Sequence, residues 1–318
     1  MIYIISEQSD ITTDYVIEWL NFFRLEYYRN NFEDQSILNS LEFSSNGLSV
    51  SKINGIDIDD VKIVWHRRAY NTFISQNLRT YSSVYRYLKE EEKGGINPIE
   101  RILKKKTEYI GSFQIDEKYK IDFLLIAKKV GLKIPNTLVT TSKETLTNFY
   151  EENNGDIITK DLRFPIRFYE SSFVNVSGGT SLVTYEVIEQ MDDIFCMSLF
   201  QNRIEKEYEI RIFFFNSQLY CMAILSQRDS KTALDFRNYN QLNPNRNIPV
   251  ILPKNIKLKV LDFINESKLK TGSIDLIVDK NHNYIFLEVN TQGQIDFVSK
   301  NCNYYIEKEI AEYFNNNL

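Results

Sequence analysis

The stretch GSIDLIVD (residues 272–279), followed by KNHN (280–283) and YIFLEVN (284–290), decides how the chain is interpreted. Two apolar, β-branched runs joined by a polar turn predict a β-hairpin. Asp275, Glu288 and Asn290 interrupt those runs with oxygen-bearing side chains. Glu288 and Asn290 are two residues apart and share one face of a strand, and a hairpin allows Asp275 to lie opposite them. Such an oxygen set is typical of a Mg²⁺ site, and the alternative is a solvated outer strand face.

Length and composition exclude several classes of protein. The 318 residues are 43% apolar and 25% charged, which suits a globular protein large enough for more than one core. The net charge of −5 argues against a nucleic-acid partner, which requires a basic surface. Three scattered cysteines favour neither a disulfide framework nor a zinc cluster, and we expect Cys196 and Cys221 in the core. No apolar run reaches the ~18 residues of a membrane helix, so the expectation is a cytoplasmic protein with no membrane partner.

The chain changes character twice along its length, which predicts three parts: 1–110, 111–193 and 194–318. The first part alternates strands with a helix and predicts a small α/β domain with a mainly parallel sheet. Within it, Gly94-Gly95 are predicted to end one helix and Pro98 to start another. The second part mixes helices and strands, and the third is strongly β before its final helices.

Two lysines and a glycine pair are candidate contacts for phosphate. Lys160 ends an apolar strand, and Lys120 lies in the first turn of a helix, where a cation opposes the helix dipole. Ser177, Gly178 and Gly179 can present backbone N–H groups to an anion. The alternatives are a lysine whose amine reaches water and a glycine pair that only forms a turn.

Two arginines are candidate contacts for a phosphoryl or carboxylate oxygen. Glu209 and Arg211 flank Ile210 and share one face of a predicted strand. Arg211 can bind such oxygens with two hydrogen bonds, although a cross-strand ion pair worth only ~0.5 kcal/mol is the alternative. Arg237 lies in a polar loop between this strand and the hairpin, so it could close over the same site.

Taken together, these residues resemble the ATP-grasp carboxylate–amine/hydroxyl ligase superfamily, and the likeness runs from about residue 116 to 298. No G-x-x-x-x-G-K-[ST] motif is present. The residues that carry the resemblance are Lys120, Ala127, GLKIPNT (131–137), Lys160, QNRI (201–204), Glu209, Arg211, Asp235, Arg237, Asp275, Glu288 and Asn290.

The resemblance implies ATP and Mg²⁺ as cofactors and assigns a role to each position. Lys120 and Lys160, with the loop Ser177, Gly178 and Gly179, would contact the nucleotide. The segment Gln201, Asn202, Arg203 and Ile204 would hold the base, Glu209 the ribose, and Arg211 with Arg237 the phosphates and the acyl phosphate. Asp275, Glu288 and Asn290 would bind Mg²⁺. Tyr119, Asn202 and Arg203 depart from the usual pattern, so the preference for ATP or GTP stays open.

The segments FLEVNTQGQ (286–294) and WHRR (65–68) are similar to the ATP-grasp peptide maturases that make graspetides. This likeness covers nearly the whole chain. It implies an α/β (α+β) ATP-grasp fold, in which an N-terminal pre-ATP-grasp domain precedes two lobes that clasp the nucleotide. It also implies a ribosomally made precursor peptide with leader and core, and a homodimer. In such a reaction a core Asp or Glu is activated with ATP, and a Thr or Ser hydroxyl or a Lys amine closes the ring.

Two other functions remain open at this point. The first is a ligase that adds free amino acids to a protein or small acid, as ribosomal-protein glutamate ligases do. The second is a nucleotide-binding regulatory protein without turnover, which the intact oxygen trio argues against. The sequence names no general base, and His66 and His282 are poor candidates.

Overall fold

The computed structural model describes residues 1–45, 47–67, 82–111, 118–162, 166–170, 173–177, 179–227, 229, 240, 242 and 244–318. The chain forms two compact units. The first unit comprises Met1–Asp116, Lys270–Gly272 and Thr291–Leu318, and the second comprises Glu117–Leu269 and Ser273–Asn290. None of the helices in the described ranges is long and apolar enough to cross a membrane. The three-part division at residues 110 and 193 stays a prediction.

The elements are numbered along the chain. The first are β1 (Ile2–Ser6), α1 (Ile11–Phe22), β2 (Tyr27–Asn31), β3 (Leu38–Ser44), β4 (Gly47–Ile53), β5 (Ile56–Asp57), β6 (Ile63–His66), α2 (Ser82–Lys106) and β7 (Glu108–Ile110). There follow α3 (Lys120–Lys129), β8 (Thr137–Ser142), α4 (Lys143–Glu152), β9 (Ile157–Lys160), β10 (Ile166–Glu170), β11 (Phe173–Ser177), β12 (Ser181–Val183), α5 (Tyr185–Glu189) and β13 (Ile194–Asn202). The last are β14 (Lys206–Phe215), β15 (Gln218–Leu225), β16 (Arg246–Pro249), α6 (Lys254–Ser267), β17 (Thr271–Asp279), β18 (Tyr284–Asn290), α7 (Ile295–Cys302) and α8 (Ile306–Asn316).

A four-stranded sheet in the order β2-β1-β6-β7 organises the first unit, and every neighbouring pair in it is parallel. This confirms the predicted α/β domain with a mainly parallel sheet. Gly111 follows β7 with a φ of +81°, and a Cβ there would collide with the carbonyl oxygen of His66. Only glycine combines that conformation with so close an approach. His66 is buried, and its Nδ1 lies 2.8 Å from the hydroxyl of Tyr109.

The helix that precedes β7 differs from the prediction. α2 runs unbroken through Gly94, Gly95 and Pro98, so the glycines do not end a helix and Pro98 does not start one. The predicted start of the first helix, before residue 82, lies outside the described residues. Ile99 and Leu103 are buried in the hydrophobic core of this unit. Their packing outweighs the hydrogen bond that a proline removes from a helix.

Two helices end at left-handed residues. The spacing of apolar residues from Asp14 predicts a helix as far as Asn30, but α1 ends at Phe22, because Arg24 adopts a left-handed φ of +56° and the chain then enters β2. The spacing near 299–315 predicts one helix, but the chain forms two, α7 and α8, separated at Asn303, which also has a positive φ. A single left-handed residue ends a helix whatever the apolar spacing around it.

Two antiparallel sheets organise the second unit. The first has the order β12-β9-β13-β8, and Leu146, Ile157, Ile188 and Phe200 form the core between it and the helices α4 and α5. Ser142 caps α4 by accepting a hydrogen bond from the backbone N–H of Thr145.

The second sheet has the order β16-β15-β14-β17-β18. Phe263 of α6 lies with its ring centroid 6.2 Å from that of Phe123 in α3 and 4.8 Å from that of Phe286 in β18. These two helices therefore cover one face of the sheet. Cys221 is buried in β15 as predicted, but Cys196 in β13 is exposed, because β13 has a half-solvated N-terminal half.

Candidate functional site

A row of polar side chains crosses one face of the five-stranded sheet. This polar row consists of Glu209, Arg211, Asp275, Glu288 and Asn290. Asp275 in β17 pairs with Glu288 in β18, and Ser273 pairs with Asn290. Residues paired across antiparallel strands point to the same face, and so do residues two apart on one strand. The predicted hairpin and the predicted grouping of Asp275, Glu288 and Asn290 on one face are therefore confirmed.

A β-bulge in β18 makes this grouping possible. Leu276 pairs with Phe286 while Asp275 pairs with Glu288, so Leu287 is an extra residue. Such a residue shifts the alternation of the side chains beyond it. Phe286 therefore faces the helices α3 and α6, whereas Glu288, only two residues later, lies on the opposite face. Regular alternation would have placed the Glu288 carboxylate in the helix-covered core.

Arg211 lies beside this hairpin and binds Asp275 through two hydrogen bonds. Its Nε donates to Oδ1 and its Nη2 donates to Oδ2, each at 2.9 Å. Both residues are buried, with Arg211 7% and Asp275 6% exposed. Burial disfavours the charged guanidinium, but the attraction of Asp275 and Glu288 leaves the pKa of Arg211 above its ordinary value. Arg211 therefore stays protonated at the centre of an acidic group.

Glu209, two residues before Arg211 on the same face, is also buried. Lys206 forms a buried ion pair with it, and the Ser226 hydroxyl donates a hydrogen bond to its Oε1 at 3.2 Å. Burial raises the pKa of Glu209, and the neighbouring charge of Lys206 opposes that rise. Neither Lys206 nor Ser226 was predicted as part of the site. A lysine at the start of a buried strand, three residues before an acid, was the available signal for the first.

Lys120 reaches the polar row from the N-terminus of α3. Its Nζ lies 3.5 Å from Oε2 of Glu288 and donates a hydrogen bond to the carbonyl oxygen of Asp161 at 2.7 Å. The structure thus brings Lys120 next to one of the predicted metal ligands. The acidic partner compensates for the unfavourable position of a cation at a helix N-terminus.

Asp161 also belongs to the site, although it was not predicted. Its carboxylate accepts a hydrogen bond from the backbone N–H of Gly179 at 3.1 Å, while its carbonyl accepts from Lys120. Gly179 has a φ of +110°, which glycine adopts without strain. Ser177 ends β11. Gly178 lies outside the described residues. The position of Asp161 directly after Lys160 was the only signal in the sequence.

The remaining predicted nucleotide contacts lie on or directly after the sheet β12-β9-β13-β8 of the second unit. Lys160 ends β9, where it neighbours Leu199 of β13. Gln201 is buried, and its Nε2 donates to Oγ1 of Thr137 at 2.9 Å. Asn202 accepts a hydrogen bond from the backbone N–H of Asn136 at 2.7 Å.

The side chain of Arg203 forms an ion pair with Asp156. Its Nε donates to Oδ1 of Asp156 at 2.6 Å, and that hydrogen bond raises the pKa of Arg203. Ile204 follows between the strands β13 and β14. Arg237 lies outside the described residues.

The donor set of the polar row fits a hard cation by its chemistry. Two facing carboxylates and a nearby amide are the oxygen ligands that Mg²⁺ accepts together with phosphate oxygens. No group of three His, Cys, Asp or Glu side chains placed to hold a metal occurs in the described part of the chain, and the predicted set contains only two carboxylates. Arg211, Lys120 and Lys206 add positive charge around them, which suits an anionic ligand.

Solved structures with the same fold include two peptide-bound enzymes. The "RiPP-associated ATP-grasp ligase" of Chryseobacterium gregarium, solved in complex with ADP and a leader and core peptide, has 26% sequence identity and a TM-score of 0.82; the match covers 100% of this chain and 97% of that chain. The macrocyclase MdnC of Microcystis aeruginosa MRC, bound with precursor peptide MdnA, has 25% identity, a TM-score of 0.83 and full coverage of both chains.

The macrocyclase MdnB of the same organism has 21% identity and a TM-score of 0.73 over 98% of each chain. Comparisons with protein-family models and with curated proteins gave no match. The match to the first two enzymes extends over the whole chain, and the polar row occupies the hairpin on which the ATP-grasp resemblance was based. The chain is therefore an ATP-grasp ligase in its fold, and over its whole length it is similar to two ligases solved with bound peptides.

Proposed function

We propose that this chain is an ATP-dependent macrocyclase of a ribosomally made precursor peptide with a leader and a core. The observation that carries the proposal is the full-length match, at 25% to 26% identity, to two ligases solved with such peptides. The polar row supports it. Carboxylate activation needs oxygen ligands for a cation, and it needs positively charged side chains for the phosphate on the same surface.

The reaction converts a core Asp or Glu carboxylate into an acyl phosphate and releases ADP. A Thr or Ser hydroxyl, or a Lys amine, then attacks the acyl carbon. The new ester or amide bond forms, the bond from the acyl carbon to the phosphate oxygen breaks, and the proton of the nucleophile passes to a base. When bound, Mg·ATP supplies the phosphoryl group that gives the carboxylate a good leaving group.

The residues of the polar row have distinct proposed roles. Asp275, Glu288 and Asn290 would hold Mg²⁺, with Glu288 exchanging part of its contact with Lys120 for the cation. Arg211 would stabilise the negative charge that develops on the transferred phosphoryl group. Its two hydrogen bonds to Asp275 keep the guanidinium charged and fix its orientation.

The nucleotide contacts are proposed from the surrounding elements. Lys120, Lys160 and the backbone of the loop from Ser177 to Gly179 would contact phosphates. Glu209 would accept a hydrogen bond from the ribose, and Gln201 to Ile204 would hold the base. Arg237 would close over the acyl phosphate. A homodimeric assembly and a cytoplasmic location, where ATP and reduced cysteines are available, complete the proposal.

Mass spectrometry of a co-encoded precursor peptide tests this function. After incubation with the enzyme and Mg·ATP, we expect products that have lost one water for each ring, with one ADP released per ring. ADP release with free glutamate and no peptide would instead identify an amino-acid ligase. Nucleotide binding without any ADP release in the presence of the precursor would contradict a catalytic function.

A further inference from the structure

Ser273 lies directly opposite one of the proposed metal ligands. It pairs with Asn290 across the hairpin, just as Asp275 pairs with Glu288 two residues further along β17. Alternate residues on a strand share a face, so the Ser273 side chain lies on the face of the polar row. Side chains that face each other across antiparallel strands have Cβ atoms about 4.5–5.5 Å apart. A hydroxyl and an amide in such a pair can form a hydrogen bond.

The hydroxyl of Ser273 is buried and has no partner among the described residues. The residue is only 1% exposed, and no described group forms a hydrogen bond with its Oγ. A buried polar group without a partner costs free energy, and folded proteins contain few of them. Asn290 on the opposite strand is exposed. The Ser273 hydroxyl is therefore available to the Asn290 side chain in an orientation that brings the two together.

An asparagine that binds a cation has to be held in one orientation. Only Oδ1 of its carboxamide carries lone pairs for a cation, because Nδ2 has two N–H donors and no acceptor. Rotation of the amide by half a turn exchanges these two ends. The carboxylates of Asp275 and Glu288 have no such requirement, since both of their ends are oxygen atoms.

We infer that Ser273 is a positioning residue that orients the amide of Asn290 toward the metal. When Oδ1 of Asn290 faces the cation, Nδ2 is turned away from it and donates a hydrogen bond to Oγ of Ser273. The buried hydroxyl gains a partner, and the amide is kept from turning over. This inference rests on the proposed function and adds to it a residue that contacts neither the metal nor the substrate. Loss of such an indirect contact typically weakens metal binding by about tenfold to hundredfold.

Calorimetric titration of the full chain with Mg·ADP, and with ADP in EDTA, isolates the contribution of the metal without requiring turnover. The ratio of the two dissociation constants measures how far Mg²⁺ tightens binding. In Ser273→Ala we expect this ratio to fall roughly tenfold, while the Kd for ADP in EDTA changes less than about twofold. An unchanged ratio would overturn the inference and leave the proposed function standing. Absence of ADP binding to the unmodified chain under both conditions would overturn both.

Thermal unfolding without nucleotide separates positioning from a structural contact. Ser273→Ala removes a hydroxyl to which no described residue is bonded, and replacing such a buried group with an apolar one is neutral or stabilising. The midpoint of unfolding should therefore stay the same or rise, although the metal contributes less to ADP binding. A clearly lowered midpoint would show that the hydroxyl supports the fold, and it would overturn the assignment as a positioning residue.

A double-mutant cycle with Asn290→Asp tests the orienting role itself. A carboxylate presents an oxygen to the cation whichever way it is turned, so it does not depend on Ser273 for its orientation. In the Asn290→Asp background, Ser273→Ala should change the ratio by less than about twofold. An equal loss in both backgrounds would show that Ser273 acts independently of the amide, and the inference would fall.

Thr271→Val is the matched control. Thr271 lies two residues before Ser273 on β17 and shares its face, but it is not the residue that pairs with Asn290. The variant removes a hydroxyl at similar volume and should keep the ratio of the unmodified chain. A fall as large as that of Ser273→Ala would show that the contact with Asn290 is not the cause, and would overturn the inference.

Discussion

Arg211 and Asp275 form a buried, two-pronged ion pair at the centre of the polar row, with both hydrogen bonds 2.9 Å long. Glu288 lies opposite Asp275 and also contributes to the charge around Arg211. A buried pair of this kind contributes little net stability when intact, but the loss of one partner leaves a charge that water cannot reach. The stability of the second unit and the chemistry of its site therefore depend on the same contact.

Replacing Asp275 by asparagine should destabilise the fold as well as abolish turnover. Asp275→Asn removes the carboxylate that forms both hydrogen bonds to the buried Arg211 guanidinium, so the free energy of unfolding should fall by ~3 kcal/mol. Urea denaturation followed by circular dichroism measures this change. Glu205→Gln is the matched control, because Glu205 pairs with Lys280 at an exposed position and its loss should be undetectable. Similar stabilities for Asp275→Asn and the control would show that Arg211 has other compensation.

Replacing Arg211 by lysine should slow the chemical step more than it weakens nucleotide binding. Lysine keeps the charge but cannot form the parallel pair of hydrogen bonds that orients the group. We expect kcat to fall on the order of 100-fold while the Kd for ADP changes less than about threefold. Product formation and calorimetry measure the two quantities. Equal losses in both would assign Arg211 to uniform binding of substrate and transition state.

Removal of Lys206 should change how stability depends on pH. The pKa of Glu209 is raised by burial and held back by Lys206. A carboxyl with a raised pKa in the folded state adds stability below its ordinary pKa of ~4.3, and that stability is lost as the pH rises through the raised value. In Lys206→Met the pKa of Glu209 rises further. The free energy of unfolding should therefore fall more between about pH 4 and neutral pH than in the unmodified chain.

Urea denaturation at a series of pH values measures this dependence on pH. Lys280→Met removes an exposed lysine and should leave the pH dependence unchanged. If Lys206→Met and the unmodified chain have parallel profiles, Lys206 does not govern the ionisation of Glu209.

Deletion of Leu287 should leave Glu288 on its present face. Without the extra residue, Phe286 and Glu288 become neighbours on β18, and regular alternation keeps neighbours on opposite faces. The pairs of Leu276 with Phe286 and of Asp275 with Glu288 can then both persist in a regular ladder, so we expect cooperative thermal unfolding and ADP binding to be retained. Leu287→Ala, which keeps the extra residue, is the matched control. Loss of the fold or of ADP binding in the deletion variant alone would show that the site needs the bulge itself.

Much of the second unit follows from local patterns in the sequence. The strands β14 and β15, the turn at Asn216 and Ser217 and the Ser142 cap were predictable, because each depends on residues close together in the chain. The unbroken helix α2 was not, since its continuity through Pro98 depends on packing against strands that are distant in sequence.

The candidate site was predictable in its chemistry and less so in its contacts. Lys120, Arg211, Asp275 and Glu288 were selected because charged side chains next to or within apolar runs require partners. Asp161 was overlooked, since its importance arises from hydrogen bonds to Gly179 and Lys120, which lie in other parts of the chain. No spacing in the sequence indicates such contacts.

The sequence by itself determined which atoms are available: oxygen ligands on a hairpin, lysines at the ends of elements, and an amide at the end of β13. Tertiary structure alone decided where those atoms point. The bulge at Leu287 places Glu288 on the same face as Asp275. The hydrogen bond to Thr137 sets the orientation of the Gln201 amide. The reason is that side-chain chemistry belongs to one residue, whereas strand register and amide orientation are set by the residue on the neighbouring strand.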